Sequence, residues 1–136
     1  MYLVDTNVIS EPTRPEPSAP LVAWLIRQPS VKLSAISLIE IEYGIARLAR
    51  GDKQDRLTKW FEGVLSSPGI QIVPVGAAIA RRAGRVKKQA EAAGRPRPFL
   101  DLVIAASAQV TGAVIATRNV SDFDGLGIPL LDPFAG

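Results

Sequence analysis

The chain opens on a short apolar run, Tyr2-Leu3-Val4, that ends on a carboxylate, Asp5. Aromatic and β-branched residues in so short a run fit a sheet interior, which predicts a buried strand over Tyr2–Val4. Runs of the same kind recur at Val31–Leu33, Ile70–Val73 and Ala113–Ala116, with Pro129–Leu131 as an edge candidate. Between them, apolar residues return every three or four positions, the spacing of a helix with one buried face. Val8–Glu11 predicts a short helix stopped by Pro12, and Ser18 predicts the cap of a helix over Ala19–Arg27. Ile36–Arg50 reads as a long helix closed by Gly51, its apolar positions including Ile36, Ile39, Ile41 and Ile45. Asp52–Ser66 carries Leu57, Trp60, Phe61 and Val64 at helical spacing. Gly76–Ala93 follows, stopped by Gly94, and Pro98 leads into Phe99–Thr111, which ends at Gly112.

Strands alternating with helices in this order predict one α/β domain over residues 1–136. The expected architecture is an α/β/α sandwich on a mainly parallel sheet. In such a sheet the strand carboxyl ends and the first turns of the following helices share one edge, where ligands bind. Four carboxylates fall at these junctions. Asp5 follows the first strand, Glu40 lies early in the long helix, Asp101 is in the first turn after Pro98, and Asp122 follows the last strong strand. Brought together in a partly desolvated cleft, such acids repel one another unless a divalent cation neutralises them.

Each acid also has a plainer reading. Asp5 can cap a helix, Asp101 can complement a helix dipole, and Asp122 can form a reciprocal cap with Asn119. Glu40 can lie on an exposed stripe or pair with an arginine. Glu42 lies on a different face of the same helix.

Composition narrows the chemistry. The chain has no histidine and no cysteine, which removes Ser-His-Asp and Cys-His catalysis, disulfides and most zinc sites. Carboxylates remain, and they favour magnesium or manganese. A reducing compartment is compatible with the lack of cysteine, and the cytoplasm is the expected location. The opening strand has no basic stretch before it, so no signal peptide is expected. The longest uncharged runs, Gly63–Ala80 and Leu102–Thr117, are interrupted by proline or glycine and predict no membrane helix. The net charge is +3, yet Arg81, Arg82, Arg85, Lys87, Lys88, Arg95 and Arg97 lie close together with only Glu91 opposing them. Such a cluster either tracks phosphates or forms a solvated helix surface.

Four blocks carry a family resemblance: Leu3-Val4-Asp5-Thr6-Asn7-Val8-Ile9-Ser10-Glu11, Ser37-Leu38-Ile39-Glu40-Ile41-Glu42-Tyr43-Gly44-Ile45, Phe99-Leu100-Asp101-Leu102-Val103-Ile104-Ala105-Ala106 and Ala116-Thr117-Arg118-Asn119-Val120-Ser121-Asp122-Phe123. In this order they resemble the motifs of PIN-domain proteins, in particular VapC-type toxins of the plasmid-stability or FitB-like branch. The resemblance implies a PIN-like fold and a magnesium- or manganese-dependent endoribonuclease acting on tRNA or other structured RNA. It also implies a cognate antitoxin, a homodimer, and promoter DNA bound only through the antitoxin. By motif, Asp5, Glu40, Asp101 and Asp122 are the acidic, metal-holding quartet, with Asp124 as the alternative fourth acid. The resemblance implies that Thr6, Asn7, Thr117 and Asn119 support the pocket, and the basic residues from Arg81 to Arg97 are expected to hold the RNA backbone.

Other classes fit less well. A phosphoacceptor module needs a lysine after the last strand, where Arg118 stands. A haloacid-dehalogenase phosphatase needs an aspartate at position 7, which is Asn7. No glycine-rich nucleotide loop follows the first strand. The remaining rival is a catalytically weak PIN-like module that acts in a DNA-binding complex with its antitoxin.

Overall fold

The computed structural model describes residues 1–135. Among them, five strands form one sheet: β1 (Tyr2–Val4), β2 (Val31–Ser34), β3 (Ile70–Val73), β4 (Val114–Ala116) and β5 (Leu130–Leu131). The spatial order is β3-β2-β1-β4-β5, and every pairing is parallel. Six α-helices accompany them: α1 (Thr6–Ser10), α2 (Ala19–Arg27), α3 (Ala35–Ala46), α4 (Asp52–Ser66), α5 (Ala77–Ala92) and α6 (Phe99–Thr111). The expected α/β/α sandwich is therefore present, with a wholly parallel sheet. No helix among the described residues is long and apolar enough to cross a membrane.

Alternation along the central strands builds the layers. On β1, Leu3 packs with Val86, Leu102 and Ile104 of α5 and α6. Its neighbour Val4 packs on the other face with Val8, Leu21, Ile41 and Phe61 of α1 to α4. On β4, Ile115 and Ala116 divide in the same way. A parallel strand buried on both faces reads as a continuous apolar run, which is what Tyr2–Val4 displays.

Several boundaries differ from the sequence reading for local reasons. Pro12 does not end the first helical stretch. It sits at the start of a 3₁₀ turn, Glu11–Thr13, where its missing N–H is not needed. The long helix ends at Ala46 rather than Arg50, because Leu48 bonds back to the Ile45 carbonyl and the Gln54 amide takes the carbonyls of Ile45 and Leu48. Gly51 therefore precedes α4 and does not close α3. Ile39, one of the apolar positions at helical spacing in α3, is 59% exposed.

The sheet order puts β1 in the centre, with β2 on one side and β4 on the other. The connections reverse direction at the β1–β4 boundary, which is where α/β sheets open a ligand crevice.

Candidate active site

At that boundary the register runs Val4 opposite Ala116, so the next residues of both strands, Asp5 and Thr117, emerge together. The Asp5 N–H donates to the Ala116 carbonyl at 2.9 Å, and Thr117 N–H donates to Leu131 at 2.9 Å. The backbone is thus fixed to the last residue before the cleft. Both side chains are buried, Asp5 at 7% exposure and Thr117 at 0%.

Asp5 caps α1 while also facing the cleft. Its Oδ1 accepts the Thr6 N–H at 2.8 Å. Its Oδ2 accepts the Thr117 hydroxyl at 2.8 Å and the Asn7 amide at 3.3 Å. The Thr117 Oγ1 in turn accepts the Asn119 N–H at 3.0 Å, and the Arg118 N–H donates to Asn7 Oδ1 at 3.3 Å. The sequence reading placed Thr6, Asn7, Thr117 and Asn119 around this pocket, and the structure brings all four to it.

Glu40 projects from the second turn of α3 and is exposed. It has a threonine partner, not an arginine: Thr6 Oγ1 donates to its Oε1 at 2.8 Å. Glu42 lies on the outer side of α3 beside Ile39 and Tyr43. Asp101 sits in the first turn of α6. Asp122 ends the 3₁₀ turn Val120–Asp122, which lacks the side-chain cap from Asn119.

The electrostatics join these acids into one group. Burial is the main cause that raises the Asp5 carboxyl above its ordinary value. Hydrogen bonds from Thr117 and Thr6 offset part of the rise, and the charges of Glu40 and Asp122 add to it. Asp101 is pushed up to about 6, first by burial and then by Asp5, Asp122 and Glu40, with Arg97 pulling it back. Asp122 is the fourth acid felt at this site. Asp124 turns outward to Arg95, at 3.8 Å.

The basic residues divide. Arg95 and Arg97 are engaged with the turn that carries Asp122. Arg95 donates to the Ser121 and Asp124 carbonyls, and Arg97 donates to those of Asp122 and Asp124. Lys87 pairs with Glu91. Arg82 and Arg85 line a cavity of about 400 Å³ with Gln109 and Gly112, at the end of α6 opposite Asp101. Arg81 and Lys88 are exposed on α5.

One residue near the site was not singled out from the sequence. Glu11 is only 5% exposed. It accepts the Ser18 N–H at 2.9 Å and lies 3.7 Å from Arg14 and 3.6 Å from Arg118. Arg118 also stacks on the Phe134 ring at 4.0 Å. Glu11 thereby holds Arg118, whose backbone holds Asn7, which holds Asp5. The only sequence signal was a carboxylate directly after the apolar stretch of α1.

The donor set is all oxygen, the preference of magnesium and manganese. Among the described residues, no three acidic side chains close on one point. Magnesium retains several waters and is commonly held by one or two carboxylates, so this wider arrangement fits it.

The PIN domain family profile matches residues 2–126. The chain belongs to the PIN-domain family. Among PIN-family relatives, it is 34% identical to Toxin FitB of Neisseria gonorrhoeae over 98% of this chain and 99% of that protein. It is 31% identical to VapC ribonuclease Y4jK of Sinorhizobium fredii, covering 98% of each. The solved structure of FitAB bound to an IR36 DNA fragment superposes with a TM-score of 0.89 at 33% identity, covering 98% of this chain and 96% of that one. The likeness therefore extends across the whole PIN fold and includes every element around Asp5.

Proposed function

We propose that this protein is the endoribonuclease toxin of a type II toxin–antitoxin module, cutting phosphodiester bonds in tRNA or other structured RNA with magnesium or manganese. The carrying observation is the convergence of Asp5, Glu40, Asp101 and Asp122 on one sheet edge, where their mutual charge and burial raise Asp101 to about 6. A site in which burial and neighbouring charge disfavour ionised Asp5 and Asp101 is suited to a cation. The relatives' names, toxin and ribonuclease, support the same reading.

In this reading Asp5 and Asp101 hold the cation, and Glu40 and Asp122 reach it directly or through water. When bound, magnesium or manganese neutralises phosphate charge and lowers the pKa of water. Thr117 and Asn7 keep Asp5 Oδ2 in one orientation, and Thr6 does the same for Glu40 Oε1. Arg81, Arg82, Arg85, Lys87 and Lys88 provide outlying charge for the RNA backbone. Arg95 and Arg97 act on RNA indirectly, by fixing the turn that bears Asp122.

The proposed partners are a cognate antitoxin that occupies the acidic cleft and a second copy of this chain. Promoter DNA is bound only through the antitoxin, and the site of action is the cytoplasm. An exposed apolar strip of Ile39, Tyr43 and Leu65 between α3 and α4 supports an interface there.

The test is cleavage of a mixed tRNA and structured-RNA pool by folded, antitoxin-free protein, with magnesium, manganese or EDTA, beside Asp5→Asn and Asp101→Asn. Metal-dependent cuts that both substitutions abolish by 100-fold or more are expected. No cleavage by the unsubstituted protein would overturn the nuclease reading in favour of a binding module.

A further inference from the structure

A second groove, about 420 Å³ in volume, opens directly from the acidic site. It shares Thr6 and Glu40 with that site and runs outward between the α1 end, α3 and α4. Its remaining walls include Arg14, Arg47, Lys53 and Trp60. Lys53 and Trp60 are seven positions apart on α4, so they lie on one helix face. Arg47 rests over the Tyr43 ring at 5.8 Å. Among the described residues, neither Arg47 nor Lys53 pairs with a carboxylate, whereas Arg14 is anchored to buried Glu11. The groove thus presents free cationic charge and a half-buried indole beside a negatively charged centre.

We infer that this groove is a track for single-stranded RNA adjoining the cleavage site, with phosphates on Arg47 and Lys53 and one unstacked base against Trp60. This rests on the nuclease reading and deepens it. Two features favour a single strand over a duplex. Unpaired nucleotides offer a free base face to an aromatic side chain, and a phosphate track beside an indole is the usual platform for them. Arg82 and Arg85 of α5 do not serve the nucleotides next to the cut, because they lie at the far end of α6 from Asp101.

The experiment measures binding of a fluorescein-labelled, unstructured RNA octanucleotide by anisotropy, in EDTA so that no bond is cut. Arg47→Ala and Lys53→Ala should each weaken binding about fivefold at 0.1 M salt and reduce the salt slope by about 0.7. Lys59→Ala removes one charge from an exposed position of the same helix and should leave both unchanged. In a Trp24→Phe background, the octanucleotide should quench the emission of Trp60.

Unchanged affinity in Arg47→Ala and Lys53→Ala would overturn the track and leave the groove as a surface for a protein segment. Absence of quenching would remove the base from Trp60. Because binding is read without metal, the two readings fail separately. A protein that cuts RNA but binds equally after these substitutions loses only the groove. One that cuts nothing yet binds through Arg47 and Lys53 keeps the groove and loses the nuclease.

Discussion

Burial and like charge make Asp101 costly to ionise in the folded protein. In the folded protein without metal its carboxyl keeps a proton up to about pH 6, because burial and the charges of Asp5, Asp122 and Glu40 oppose ionisation. In the unfolded chain it ionises near 3.8. Between these values the folded state binds more protons, so its stability falls as pH rises through this window and stays lowered at pH 7. Asp101→Asn should therefore raise the melting temperature of the metal-free protein at pH 7. Solvent screening of this half-buried group keeps the gain to on the order of 1 kcal/mol, or a few degrees. The gain should shrink towards zero as pH is lowered to 4, and a pH-independent gain would contradict like-charge pressure at this position. Glu11 is the opposite case. Glu11→Ala leaves the Ser18 N–H and two arginines without their acceptor and should cost roughly 2–3 kcal/mol, read by urea unfolding. Glu11→Gln retains an acceptor for Ser18 and should cost less.

At the scale of elements, turn chemistry sets where the helices end. Gly112 ends α6 with φ +67°, in the left-handed region, and its amide bonds back into the helix. A methyl group there would meet no neighbour. Gly112→Ala should therefore lose about 1 kcal/mol to backbone strain alone. Gly84, inside α5 and equally open, should gain roughly 0.5–1 kcal/mol when changed to alanine. Thermal melts of the pair separate conformation from packing. The same distinction explains what was legible in the sequence. Asp5 and Asp101 were readable because a strand end and a helix start are local patterns. The end of α3 was not, since its carbonyls are taken by Gln54 of the next helix. The burial of Glu11 was hidden for a similar reason, because its cationic neighbour Arg118 lies far along the chain. Ile39 illustrates a limit of periodicity, which marks apolar positions without saying whether this chain or another molecule covers them.

Taken whole, the molecule is a scaffold that holds like charges close together, so a bound cation should stabilise it. Magnesium or manganese at 100 times its dissociation constant should add about 2.7 kcal/mol, visible as a rise in melting temperature that EDTA reverses. Asp5→Asn and Asp101→Asn should lose most of that rise, and a rise of equal size in all three proteins would place the cation elsewhere.

The position of β1 in the middle of the sheet has a consequence for how the chain is made. Asp5 leaves the ribosome well before the hydroxyl that orients it, which belongs to Thr117, 112 residues later. Its strand can meet β2 well before β4, which follows β2, β3 and the helices between them along the chain. A nascent chain therefore carries Asp5 without its Thr117 partner until β4 has emerged, and the centre is assembled only after that strand joins the sheet.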